Sequence, residues 1–257
     1  MAATPPDLLE RAARAPGDAA AAARILPLLD LTLLGDADSE AQIETLCARA
    51  IDAGVAAVCV WPRFVPSVKA RLAHSPIRLA TVANFPDGSD DLARVAGETA
   101  SALGAGADEV DVVAPLQAVL DGDVGLVTEL VQACRKEAPD LTLKVILETG
   151  RLEQPARIAA AARAAIMGGC AMLKTSTGRF PVGATLEAAA VLLAVIEEAD
   201  GRVGIKFSGG IRTTQQAAQY LYLVDRFLGS GWTSPETLRF GASAPLLDNL
   251  LKVLHSE

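Results

Sequence analysis

Residues 141–150, LTLKVILETG, 171–179, AMLKTSTGR, and 203–210, VGIKFSGG, each set a short apolar, β-branched run around one lysine. The residues between them, 154–167 and 185–199, are rich in Ala and Leu and read as helices. Strand, helix and strand in strict alternation imply a parallel sheet with helices packed outside it. Working outward, the same alternation places strands near 28–32, 56–60, 78–83, 109–113, 142–147, 171–175, 203–207 and 238–241. Further helices are expected near 39–53, 90–104, 124–137, 213–228 and 243–254. Eight such strands predict an α/β fold of the (β/α)8 TIM-barrel type, whose usual length of roughly 250 residues the chain matches. One barrel domain over 1–257 is expected, with residues 1–26 forming a short N-terminal helical extension that is free to cover the barrel bottom.

Local signals agree with this period. Ser39 before Glu40, and Thr213-Thr214 before QQAAQYL, are helix starts. Gly54, Gly106 and Gly201 follow helix ends, where glycine adopts the left-handed conformation at least cost.

Composition narrows the function. With 51% hydrophobic and 21% charged residues, the chain has ample material for a core. A formal charge of −8 argues against nucleic acid or an anionic membrane as partner, since both demand a basic face. No run approaches the ~18 apolar residues of a membrane span. The N-terminal stretch lacks a basic region followed by an apolar core, so export is not expected. Cys47, Cys59, Cys134 and Cys170 are widely spaced with no CxxC pair, which favours a reducing cytoplasm.

In a (β/α)8 barrel the reactive groups gather where the strands end. Five charged residues sit on otherwise apolar strands: Asp30, Asp111, Lys144, Lys174 and Lys206. Strand alternation sends Leu143, Val145 and Leu147 toward the helices and Lys144, Ile146 and Glu148 into the barrel. The same parity turns Lys174 and Lys206 inward, so three neighbouring strands each present an ammonium, with Asp111 as their counter-charge.

Such a cluster suits amine chemistry. A free lysine, with a pKa of about 10.4, is neutral in roughly one molecule of 2,500 at pH 7. A nearby ammonium and partial desolvation lower that pKa. The neutral amine can attack a carbonyl and form an iminium, an electron sink that weakens a neighbouring carbon–carbon bond. Asp111 is placed to move protons as the adduct forms and collapses. Metal-assisted aldol chemistry is the competing route. It would need clustered ligands, and the two histidines, His74 and His255, share no metal-binding spacing. No metal and no cofactor are expected. On these residues alone, any of the three lysines is a candidate nucleophile.

Two glycine-rich loops add an anion site. SGGIRTT from Ser208 and RFGAS from Arg239 follow the seventh and eighth strands, where barrels commonly hold phosphate on backbone N–H groups. TSTGR at 175–179 adds hydroxyls and a guanidinium beside Lys174, and Arg179 and Arg212 are candidate phosphate partners. Cys59, Asn84 and Phe85 lie near strand ends without an assigned role. A phosphosugar isomerase using Glu148 as base, and a non-catalytic phosphosugar-binding barrel, are the alternatives to an aldolase.

The segments LLDLTLL, VCVWPRF, TVANFPDG, GADEVDVVAPL, LKVILETG, LKTSTGRF, VGIKFSGGIRT and RFGAS, in that order across residues 27–245, resemble the deoxyribose-phosphate aldolase family. The resemblance implies a metal-free (β/α)8 barrel that reversibly cleaves 2-deoxy-D-ribose 5-phosphate to D-glyceraldehyde 3-phosphate and acetaldehyde. By it, Lys174 of KTSTG forms the Schiff base, Lys206 of KxxGG lowers its pKa and shares in proton transfer, and Asp111 is the proton donor or acceptor. By the same resemblance Gly178, Gly209, Gly210, Gly241 and Ser243 would cradle the phosphate, Asp30, Lys144 and Thr177 would support the site, and a homodimer is expected. This sequence departs from many members at Arg179, where they have lysine, and at Ala244, where they have a second serine. Some members also carry a tyrosine-bearing tail, whereas this sequence ends LKVLHSE.

Overall fold

A computed structural model describes residues 6–256. Two helices come first, α1 (Pro6–Ala13) and α2 (Ala19–Ile25), and the rest alternates as the sequence pattern requires. In order it runs β1 (Leu29–Leu33), α3 (Glu40–Ala53), β2 (Ala57–Val60), α4 (Val65–Arg71), β3 (Arg78–Ala83), α5 (Leu92–Gly104) and β4 (Glu109–Val113). Then follow α6 (Leu116–Leu120), α7 (Gly125–Glu137), β5 (Thr142–Ile146), α8 (Thr149–Leu152), α9 (Pro155–Met167), β6 (Met172–Lys174) and α10 (Leu186–Glu198). The chain finishes with β7 (Gly204–Phe207), α11 (Thr214–Leu228), β8 (Leu238–Ala242) and α12 (Ala244–Leu254). All strands pair in parallel in the order β1 to β8, and β1 closes on β8 through Leu29–Phe240, Asp30–Gly241 and Leu31–Ala242.

Helix boundaries have local causes. Ser39 and Thr213 each form a reciprocal capping box, with Gln42 and Gln216 respectively, and Gly54 ends α3 at φ 64°. The expected N-terminal extension is helical where described; residues 1–5 lie outside the described residues. Helices α1 and α2 pack against α10, α11 and α12, burying Ala12, Ala22 and Ile25. The short helices α4, α6 and α8 were absent from the sequence reading, because pieces of 4 to 7 residues complete too few turns to show a period.

Period-two alternation separates two interiors. Leu29, Leu31, Val58, Val110, Val112, Leu143, Val145, Leu173, Ile205, Phe207 and Phe240 join the main core between sheet and helices. The inward positions divide by strand. On β2 and β3 they are apolar, with Cys59, Ala80 and Val82 packing together beneath Leu34, Trp61 and Phe85. On β1 and from β4 round to β8 each strand adds at least one charged side chain, and Asp30, Glu109, Asp111, Lys144, Lys174, Lys206 and Arg239 are all at most 4% exposed. The barrel interior is therefore charged on one side and apolar on the other, and of the charged cluster Lys174 alone lines the cleft.

Candidate active site

Three lysines come from consecutive strands and meet one carboxylate. The cross-strand register sets Asp111 beside Lys144, and Lys174 beside Lys206. Asp111 accepts from all three: from Lys144 Nζ at 2.9 Å, from Lys174 Nζ at 2.7 Å and from Lys206 Nζ at 2.7 Å. Asp30 pairs with Lys206 at 2.5 Å and Lys144 at 3.5 Å. Two residues the sequence reading left out complete the network. Glu109 pairs with Lys144 at 2.5 Å, and Arg239 reaches both Asp30 at 2.6 Å and Glu109 at 2.8 Å. Parity could have flagged them, since Glu109 shares a face with Asp111 and Arg239 with Gly241.

The number of carboxylate partners separates the lysines. Lys144 has three, Lys206 has two and Lys174 has Asp111 alone. Burial disfavours every ammonium here, so the balance rests on those partners. For Lys144 burial is outweighed by Asp111, Glu109 and Asp30, which hold its pKa well above the usual lysine value. For Lys206 it is outweighed by Asp111 and Asp30, and the pKa again rises. For Lys174 burial prevails over Asp111, with help from the Lys206 charge, and the pKa is lowered. The carboxylates go the other way. Burial opposes their charge, but Lys144, Lys174 and Lys206 hold Asp111 well below the usual range, and Lys206, Lys144 and Arg239 do the same for Asp30. Asp111 is thus held as a carboxylate by the three amines against it.

Lys174 also differs in access. It lines a cleft of about 250 Å³ together with Thr32, Leu34, Thr177, Gly178, Ser208 and the loops beyond, whereas Lys144 and Lys206 are sealed beneath it. That volume falls below the ~300–1,000 Å³ of drug-sized pockets and suits a small substrate. Gly209, Gly210, Arg212, Gly241 and Ser243 also line the cleft. Thr175 Oγ1 donates to the Ser208 carbonyl and accepts from the Ser208 amide, so the loops after β6 and β7 move as one wall. Ser243 sits at the N-cap position of α12 without a side-chain capping hydrogen bond, and the helix dipole favours an anion beside it. The Arg212 guanidinium makes no ion pair among the described residues and is free to meet one.

Gly209 shows why glycine is needed here. Its φ is 89°, and a Cβ would lie 2.9 Å from the Gly183 Cα. Gly209→Ala is expected to shift this loop and raise the KM for a phosphorylated substrate by about 10- to 100-fold, the value of one charge-assisted hydrogen bond. Steady-state kinetics with phosphorylated and unphosphorylated substrates should confine the change to the former.

Arg179 is placed differently from the sequence expectation. Its guanidinium pairs with Asp36 at 2.8 Å, donates to the Leu34 carbonyl and lies 5.7 Å from the Trp61 ring, so it braces the rim instead of lining the cleft. Thr177 lines the cleft and is fixed from behind, its amide and hydroxyl both donating to Glu148, at 3.0 and 2.5 Å. Glu148 holds that position at φ 51°, a backbone conformation unfavourable for a side chain this size, and burial pushes its carboxyl up. Ala244 faces a separate outer groove with Leu31, Leu33 and Leu46.

Known proteins share this fold. Residues 24–224 match the DeoC/LacD family aldolases. Among solved structures, the apo form of a protein assigned as deoxyribose-phosphate aldolase from Toxoplasma gondii aligns with a TM-score of 0.86 at 25% identity, over 93% of this chain and 97% of that one. One so assigned from Coccidioides immitis aligns with 0.79 at 25% identity, over 96% and 98%. At 22% identity the tetrameric deoxyribose phosphate aldolase of Aeropyrum pernix, with a TM-score of 0.75 over 98% and 99%, speaks to the fold alone. With the family match spanning most of the chain and the barrel it requires in place, the protein belongs to the DeoC/LacD family of aldolases.

Proposed function

We propose that this aldolase cleaves 2-deoxy-D-ribose 5-phosphate reversibly to D-glyceraldehyde 3-phosphate and acetaldehyde, through a Schiff base on Lys174. One observation carries the assignment: of the three clustered lysines, Lys174 alone lines the cleft, and it has one carboxylate partner. The neutral Lys174 amine adds to the open-chain aldehyde, giving a carbinolamine that loses water to an iminium. Removal of the C3 hydroxyl proton then lets the C2–C3 bond pass its electrons to the iminium nitrogen. Glyceraldehyde 3-phosphate leaves, and the acetaldehyde enamine is protonated at carbon and hydrolysed. Asp111, ionised and 2.7 Å from both Lys174 and Lys206, is the group best placed to take and return those protons, with Lys206 as its partner. Lys144, Asp30 and Thr177 hold these groups in place.

For the phosphate, the reading rests on Gly178, Gly209, Gly210, Arg212, Gly241 and Ser243, all of which line the cleft. Arg179 supports the cleft indirectly, by bracing Leu34 and Asp36. A metal-independent route is favoured because the site's carboxylates are already engaged by ammonium and guanidinium groups. Glu148 is held by Thr177, which leaves it poorly suited to the isomerase reading. We also infer a homodimer in the cytoplasm. Four free, buried cysteines are in keeping with a reducing compartment, and among the described residues no helix is long and apolar enough to cross a membrane.

Acetaldehyde release from 2-deoxyribose 5-phosphate, followed by coupled NADH oxidation, tests the reading. Turnover undiminished by excess chelator is the expected result. No release, or loss of turnover on metal removal, would contradict it.

A further inference from the structure

We propose that Arg239 and Glu109, on the floor of the barrel, set the charge balance that keeps Lys174 neutral, and so act as positioning residues that never touch substrate. The inference rests on reading Lys174 as the nucleophile.

The observation behind it is a count within one sealed network. Four cationic side chains, Lys144, Lys174, Lys206 and Arg239, share three carboxylates, Asp30, Glu109 and Asp111. All are almost completely buried. A dry interior does not readily hold an uncompensated charge, so one cation is under pressure to give up its proton. A guanidinium cannot do so. Lys144 and Lys206 have several carboxylates each, whereas Lys174 has one and stands next to the cleft. The surplus therefore falls on Lys174, and the residue that creates it is Arg239.

Connectivity points the same way. Arg239 occupies one oxygen of Asp30 at 2.6 Å and one of Glu109 at 2.8 Å, and its Nε donates to the Pro235 carbonyl. It thereby shares Asp30 with Lys206, at 2.5 Å, and Glu109 with Lys144, at 2.5 Å, so neither lysine has a carboxylate to itself and both also draw on Asp111, at 2.7 and 2.9 Å. Asp111 has correspondingly less charge left for Lys174. Without Arg239, Asp30 and Glu109 would serve the two sealed lysines fully, and Lys174 would keep its proton. Without the Glu109 charge the surplus would grow, and Lys174 would lose its proton more easily.

Other titratable groups face Lys174. Lys206 comes from β7, Asp111 from β4 and Cys59 from β2, and Glu148 follows β5. Burial pushes the Cys59 thiol up, so it stays uncharged, and Glu148 is committed to Thr177. Neither contacts Arg239 or Glu109, so both shift the baseline equally in every variant and leave the sign of the differences intact.

The test compares kcat/KM against pH for acetaldehyde release in wild type, R239M, E109Q and the E109Q/R239M pair. For charges roughly 10 Å apart in a protein interior, R239M should move the acid limb up by about one pH unit and E109Q should move it down. The double variant, its charges removed in opposite pairs, should return near wild type, and R239K should leave the limb in place. If R239M does not fold, E109Q and the double variant still decide, since they must differ in limb position. A purely structural pair would lower stability and rate while leaving all acid limbs coincident, and that result, or two single variants shifting the same way, overturns the inference. Borohydride trapping on wild type keeps the two claims apart: an adduct on Lys174 with coincident limbs sinks the charge balance alone, and no adduct there sinks the assignment of the nucleophile.

Discussion

Lys174→Ala is expected to lower turnover by roughly four orders of magnitude or more, because removing the nucleophile removes the covalent route. The fold should survive. Lys174 is the member of the network with the fewest carboxylate contacts, and it borders the cleft, so water can enter the space its side chain leaves. Lys144 and Lys206 keep Asp111, and with Lys174 read as the neutral amine its removal leaves the charges of the network unchanged. Thermal unfolding followed by circular dichroism should shift by only a few degrees, while acetaldehyde release falls to background. A large drop in stability with partial activity would mean that Lys174 is a structural ion-pair residue.

Asp111→Asn should be damaging in both respects. Asp111 is the carboxylate contacted by all three ammonium groups, and Lys174 has no other. Deleting the charge leaves Lys144, Lys206 and Arg239 with only Asp30 and Glu109. Breaking a buried pair from one side typically costs about 3–5 kcal/mol, and urea denaturation at pH 7 should show a loss of that order. Lost proton transfer should cut kcat by a further 10²- to 10⁴-fold or so. The wild-type contribution of Asp111 has a defined pH window. Its folded pKa lies well below the carboxylate norm, so its stabilisation is fully present above about pH 4 and is lost as pH falls toward the folded value. The variant should therefore lose its stability deficit relative to wild type in strong acid.

The contrast between these two variants mirrors how the site is built. Alternation in EVDVV, LTLKV, MLK and GIKF was enough to turn Asp111, Lys144, Lys174 and Lys206 inward, because a strand has only two faces and the other face needed its Leu, Val and Ile for the helices. The eight strands and the longer helices were legible for the same reason. What the sequence did not carry is contact across the barrel. Arg239 and Glu109 are 130 positions apart and meet only once the sheet has closed, and no local pattern marks the pair. Nor does one mark Arg179 turning to Asp36, 143 positions earlier. Which lysine reaches the cleft is likewise a matter of depth: Lys174 ends β6 at the mouth, while Lys144 lies inside β5.

The most direct test of the account is reductive trapping. Protein incubated with 2-deoxyribose 5-phosphate or acetaldehyde and then reduced with borohydride should carry one adduct, and peptide mapping by mass spectrometry should place it on Lys174. Protein that turns over substrate yet traps nothing, or that carries the adduct on Lys144 or Lys206, would contradict it.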